Sequence, residues 1–348
     1  MRNWFIFIGL ILGFSGTAYS QKCDCQKEFT SIQDQFIENY AGMSDFRKSH
    51  PEFSDRAYGF RKKSKRLTTW KSCDQLIESW FDYFDNEHIF GGRTAQHPSF
   101  REPAEDPQNT TPGLVLYADT LAVFRIPSAD IGYQKVIDSL FLRNQEVLRI
   151  IPRWVVDIRG NGGGGDGVFQ AFWPYLFTQP WILYQQEFWA TEGNKAYLRS
   201  LLMYPDLPSN AKMEIQGILA RSEGQLNAFI LSASQRSDTL SQEQVFQNPQ
   251  QVSILYDKTC ISAAEQFLWR SRQSQKVTLW SASPSGGAVD YGNLRFAYSS
   301  SGNWYFSIPT TKSTRIPHDP IDPTGILPDV WIPKQIDDPL QWVIQRRK

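Results

Sequence analysis

Residues 155–167 read V-V-D-I-R-G-N-G-G-G-G-D-G, and no other stretch limits the fold as tightly. A β-branched run ends in Asp157 and Arg159, opens into glycines, and runs on into the amphipathic pattern of 168–177. That order sets a glycine loop between a buried strand and the start of a helix. Backbone N–H groups at such a junction lack intrahelical acceptors and can face an anion or a developing negative charge. The loop is therefore a phosphate cradle, an oxyanion hole, or a structural turn.

The periodicity on either side predicts an α/β domain. Strands are expected at 114–117, 121–126, 154–158, 181–188, 252–256 and 276–280, with helices at 134–148, 168–177 and 262–272. A hairpin is expected across Ser301-Gly302-Asn303, and a last short strand at 329–332. Residues 192–251 read as a polar, mainly helical insertion. Ahead of this core, Phe29, Ile32, Phe36 and Tyr40 share one helical face, and Leu76, Trp80 and Phe84 repeat at i, i+4. The expected organisation is a signal peptide at 1–20, a helical domain at 21–90, a turn-rich linker at 91–112 and an α/β core at 113–348.

Arg2, the apolar run 4–14 and Ala18-Tyr19-Ser20 have the order of a secretory signal, which predicts an extracytoplasmic (periplasmic or secreted) protein with no membrane span. Lys+Arg and Asp+Glu balance at 36 each, which gives no electrostatic case for nucleic acid. The basic run 61–66 reads as a solvated helix face. In an oxidising compartment Cys23 or Cys25 can pair with Cys73 and staple the helical region. The lone C-x-C spacing completes no zinc site, so no metal is expected.

Ser262 opens a helix after a hydrophobic strand and the turn Asp257-Lys258-Thr259-Cys260. A serine there can be a nucleophile. The same S-A-A-E has the form of a capping box between Ser262 and Glu265, and the segment alone favours the cap. The glycine loop also has two readings, because Gly160, Gly162 and Gly165 fit a dinucleotide fingerprint with Glu187 at the ribose position. Against that, Asp166 would face the incoming pyrophosphate.

The motifs occur in one order: D-I-R-G-N-G-G-G, then S-A-A-E, then Gly286-Gly287-Ala288, then Gly325-Ile326-Leu327-Pro328-Asp329. This ordered set resembles the C-terminal-processing peptidases and tricorn-type serine proteases, over about residues 113–333. The resemblance implies a ClpP/crotonase-like spiral β-sheet core preceded by a small helical domain, here without room for a PDZ module. It implies Ser262 as nucleophile, with the N–H groups of Ala263 and of Gly163 or Gly164 as oxyanion donors, and Asp157, Arg159 and Asn161 as loop-shaping residues.

Processing relatives use a Lys after the next strand, where this chain has Gly286-Gly287-Ala288-Val289; Lys276 and Lys312 lie outside that motif. Tricorn-like members use a His at the end of the helical domain, oriented by a carboxylate before G-x-x-P-D. His88 and Asp322 match those positions, with Asp319 as substitute acid and His318 as rival base; Glu87 stands where tricorn has a small hydroxyl residue. The implied activity is an exported serine endopeptidase acting on polypeptide through a Ser-His-acid mechanism and an acyl-enzyme, without cofactor. A binding protein on the same scaffold and a dinucleotide enzyme are the rivals. Substrate selection would fall to the helical domain or the 192–251 insertion, with Trp173, Trp181 and Trp189 as candidate cleft or core residues.

Overall fold

The computed structural model describes residues 23–96, 111–205 and 207–346. The expected signal peptide and most of the expected linker lie outside those residues. Four helices lead: α1 (Cys25–Asn39), α2 (Met43–Ser49), α3 (Phe53–Ser64) and α4 (Trp70–Asp82). Asp24 caps α1 by accepting from the Lys27 N–H, and Thr69 caps α4 by accepting from the Ser72 N–H. The Cys25–Cys73 disulfide joins the starts of these two helices. Their apolar faces pack Phe29, Phe36 and Trp80 around one aromatic centre.

Strand β1 (Gly91–Arg93) follows, then β2 (Gly113–Tyr117), β3 (Leu121–Arg125), α5 (Gln134–Leu148) and β4 (Arg153–Asp157). Next come β5 (Trp181–Tyr184), β6 (Gln186–Ala190), α6 (Glu192–Leu201), α7 (Ser209–Arg221), β7 (Ala228–Leu231) and β8 (Ser237–Leu240). The chain closes with β9 (Gln251–Leu255), α8 (Ala263–Ser271), β10 (Val277–Ser281), β11 (Tyr291–Tyr298), β12 (Trp304–Ser313), β13 (Val330–Trp331) and α9 (Pro339–Ile344). The α/β class expected from the alternation of periods is what forms.

One sheet runs β13-β10-β9-β4-β3-β2, parallel except for the β2–β3 hairpin. Its inner strands β3, β4, β9 and β10 are mainly apolar because both faces are covered: α5, α8 and the segment after the glycine loop on one side, α9 on the other. A second sheet runs β1-β12-β6-β7, with β11 on β12. Trp304, Phe306 and Ile308 of β12 complete the aromatic centre of the leading helices. That shared core carries the end of the helical region against the α/β body. Among the described residues no helix is long and apolar enough to cross a membrane.

Three expectations change. Residues 168–177 form a 3-10 segment, Asp166–Phe172, and one helical turn, Trp173–Leu176, instead of a continuous helix. The strand expected at 181–188 breaks at Gln185, whose N–H turns to Arg236 O (3.1 Å) and Thr314 Oγ1 (2.9 Å). Its halves, β5 and β6, consequently join different sheets. The insertion holds α6 and α7 but also β7 and β8, which extend β6 and β5.

Candidate active site

Strand β4 delivers the glycine loop, and side chains of its own sequence shape it. Arg159 closes a fork onto Asp157, with Nε 2.9 Å from Oδ1 and Nη2 2.7 Å from Oδ2. Asn161 is fully buried and spans the turn, donating to Ile126 O (2.9 Å) and accepting the Gly163 N–H (2.9 Å). Gly163 O accepts from the Ala129 N–H at 3.2 Å. Peptide planarity then points the Gly164 N–H away from Ala129.

The loop is squeezed from both sides. A Cβ on Gly163 would lie 2.7 Å from Ser262 Cβ, and one on Gly164 would lie 2.1 Å from Ala129 O. Both have positive φ, 90° and 140°. Only glycine meets these two demands together. The Gly163 N–H is already taken by Asn161, so Gly164 is the member of the pair with a donor to spare.

Ser262 does not cap its helix. Its backbone has φ 58° and ψ −121°, and its side chain makes no capping bond. An L-residue resists that conformation, which is retained where surroundings over-determine it. The Ser262 N–H is held by Ala288 O (3.0 Å), and its carbonyl accepts from the Gln266 N–H (3.0 Å). Glu265, the supposed partner in the capping box, is buried and turned inward. It accepts from Ser285 Oγ (2.5 Å) and from the N–H groups of Gly287 (2.8 Å) and Ala288 (2.9 Å). Burial pushes its carboxyl above the usual range even with those three donors. Glu265 thus fixes Ala288, the residue whose carbonyl holds the Ser262 N–H. The hydroxyl is left without a hydrogen bond, and the Ala263 N–H has no acceptor, among the described residues.

His88 ends the helical region and is 5 % exposed. Its ring Nδ1 lies 2.6 Å from the carbonyl of Tyr291 at the start of β11. A carbonyl only accepts, so Nδ1 carries a proton, and in the neutral ring Nε2 keeps the lone pair. Nε2 has no hydrogen bond among the described residues. Burial holds the imidazole below its ordinary pKa, opposed by the Tyr291 carbonyl and the charge of Glu87. Ser307 Oγ donates to the His88 carbonyl at 2.7 Å.

Asp322 does not touch the imidazole. One of its oxygens accepts from the N–H groups of Val289 (2.7 Å) and Asp290 (3.0 Å), directly ahead of Tyr291. The other accepts from Asn86 Nδ2 (3.0 Å), while Asn86 Oδ1 accepts the His88 N–H (2.8 Å). Asp322 therefore ties the strand that holds the ring to the side chain that holds the backbone of His88. Burial and the neighbouring charge of Asp290 raise its pKa to about 7. Asp290 in turn pairs with fully buried Arg315 (2.7 Å) and accepts from the N–H groups of Ile321 (2.6 Å) and Asp322 (2.9 Å).

Ser262, His88, Gly162 and Gly164 line one cavity of about 620 Å³, with Glu87 at its edge. No direct hydrogen bond joins Ser262 to His88. The rival assignments fall elsewhere. Asp319 accepts from Trp269 Nε1 (3.1 Å), and His318 is exposed away from the cavity. Lys276 donates to Tyr175 O and Phe246 O, and Lys312 pairs with Asp45, so neither serves Ser262. Glu187 sits on β6 in the other sheet, paired with Arg236, and Asp166 is paired with Arg270. The dinucleotide arrangement is not built. Trp173 and Trp181 lie in the core, and the indole of Trp189 donates to Glu38 O. Among the described residues no cluster of three or more His, Cys, Asp or Glu could hold a metal ion.

A sequence model of peptidase family S41 matches residues 120–332, more than half of the 348-residue chain. The chain belongs to peptidase family S41. Among solved structures it is similar to mature CPAF complexed with lactacystin, with a TM-score of 0.61 and 9% identity, covering 89% of this chain and 94% of that one. It is also similar to a lipoprotein from Streptococcus agalactiae, with a TM-score of 0.51 and 13% identity, covering 92% and 95%. At such identities the likeness is one of fold. No curated protein sequence matches the chain. Family membership makes this molecule a relative of serine peptidases, with the α/β fold its sequence pattern implied.

Sequence reasoning missed Asn86, Tyr291 and the inward role of Glu265. Asn86 had a faint signal, standing two residues before His88 as an Asx acceptor does. Tyr291 acts through its carbonyl, which no side-chain motif encodes.

Proposed function

We propose that this chain is an exported serine endopeptidase in which His88 activates Ser262. The observation that carries the reading is the shared cavity, into which a free serine hydroxyl and a neutral His88 open together. Ser262 Oγ attacks the scissile carbonyl carbon as its proton passes to His88 Nε2. The imidazolium then returns that proton to the leaving amine, and water repeats the sequence on the acyl-enzyme. The carbonyl oxygen, as it becomes an oxyanion, is met by the N–H groups of Ala263 and Gly164, each such donor being worth about 3–4 kcal/mol in comparable enzymes.

The acid's usual duties are divided in this reading. The Tyr291 carbonyl fixes the tautomer, Glu87 supplies the charge that favours imidazolium, and Asp322 acts as a positioning residue. Export is supported by the signal-like order of residues 1–20 and by the Cys25–Cys73 disulfide, a bond of oxidising compartments. The test is an activated ester substrate in the stopped flow. The expected result is a burst of about one product per chain and a mass increment on Ser262. A steady release without burst or adduct, in wild type and Ser262→Ala alike, would remove the acyl-enzyme and favour a binding protein.

A further inference from the structure

The cavity has walls that the chemistry at Ser262 does not use. α6 and α7 contribute Leu198, Leu201, Ile215 and Ile218, which form one apolar wall with Phe188 of β6, and Leu294 of β11 also lines the cavity. Its charged lining is wholly acidic: Glu87 and Glu214 are exposed, and among the described residues no Lys or Arg lines it. A chamber of this make-up takes an apolar side chain and penalises a buried charged one. Two carboxylates at the same cavity repel a third and attract a cation.

We infer that the cavity selects an internal polypeptide segment carrying a large apolar side chain beside a basic residue, and rejects a free C-terminal carboxylate. The inference rests on the peptidase reading for the chemistry but on the α6–α7 wall for the choice. The apolar side chain rests on the wall formed by the two helices and Phe188 while the neighbouring Lys or Arg meets Glu214. A chain end placed there would bring its carboxylate against Glu87 and Glu214.

The test uses the full chain and two readouts. Ser262→Ala protein is titrated by fluorescence polarisation with dye-labelled peptides, and wild type is assayed for cleavage of quenched forms of the same peptides. The peptides carry Leu or Ala at the selected position, Arg or Asp beside it, and a blocked or free C-terminus next to it. The expected result is at least tenfold tighter binding for Leu over Ala, for Arg over Asp, and for blocked over free ends. Glu214→Lys should reverse the Arg-over-Asp preference. Ala211→Trp, which fills the chamber from its α7 wall, should erase the Leu-over-Ala preference. Binding indifferent to charge and to Glu214→Lys, or insensitive to Ala211→Trp, would overturn the inference. Selective binding without cleavage by wild type would leave the inference standing and defeat the peptidase reading instead.

Discussion

The two groups proposed to react are held in opposite ways. Ser262 is placed by its own neighbourhood: a strained turn, a strand before it, a helix after it, and a glycine loop pressed against its Cβ. His88 is placed from a distance. Its ring is held by a residue 203 positions away, and its backbone by a side chain whose partner lies 236 positions further on. A nucleophile on a local device tolerates little change but needs few partners. A base on a long-range device depends on two regions docking, and its defects should be graded.

The largest effect should come from Ser262→Ala, with peptide cleavage falling by about 10⁴-fold or more, since a triad-like unit loses most of its catalysis when the nucleophile goes. Circular dichroism should remain unchanged, because the hydroxyl supports nothing else. Next, Gly163→Ala drives a methyl to within 2.7 Å of Ser262 Cβ at a φ of 90°. A misplacement of that order should cost about 10²-fold in kcat. If Gly163→Ala were silent, the local half of the comparison would fail.

Asp322→Asn should act more gently, lowering kcat about tenfold with KM little changed. The new amide can still accept from Val289 and Asp290, but its Nδ2 opposes that of Asn86. Asn86 must then turn its own donor toward the His88 N–H. Asp322→Ala, by contrast, should also lower stability by about 1–3 kcal/mol for each buried N–H left unpaired, read from denaturant midpoints.

The smallest effect is on pH dependence. His88 must be neutral to act, and burial lowers its pKa, so its own acid limb should lie below the ordinary imidazole value of about 6.5. Asp322 accepts from all three of its donors best as the carboxylate, and burial beside the charge of Asp290 raises its pKa to about 7. Wild-type kcat/KM should therefore fall in two steps as pH drops, the upper one near 7. Asp322→Asn should lose the upper step and keep the lower. A single unchanged limb in both proteins would mean that Asp322 does not position the base.

The same contrast explains what could be read in the sequence. The glycine loop, the Ser262 turn and the strands beside them are coded by consecutive residues. Periodicity and motif order reached them. The S-A-A-E segment misled as a capping box because the pattern is silent about tertiary space. Glu265 finds three donors in the 285–288 segment, and that competition draws it away from the helix start. The motif order pointed to Asp322 as the acid orienting the ring, whereas a main-chain carbonyl holds Nδ1 and Asp322 meets Val289, Asp290 and Asn86 instead. The break at Gln185 was equally hidden, because its partners lie on distant strands. His88 could be named only through the order of motifs; nothing in its own segment distinguishes it from a helix-end histidine.

The central claim is that one hydroxyl and one imidazole, from the two regions, act on one substrate. The most direct measurement is the second-order rate of fluorophosphonate labelling, with the modified peptide located by mass spectrometry. The account predicts a single adduct on Ser262 in wild type, none in Ser262→Ala, and a rate slowed at least a hundredfold in His88→Ala. An adduct elsewhere, or equal rates with and without the His88 imidazole, would contradict it.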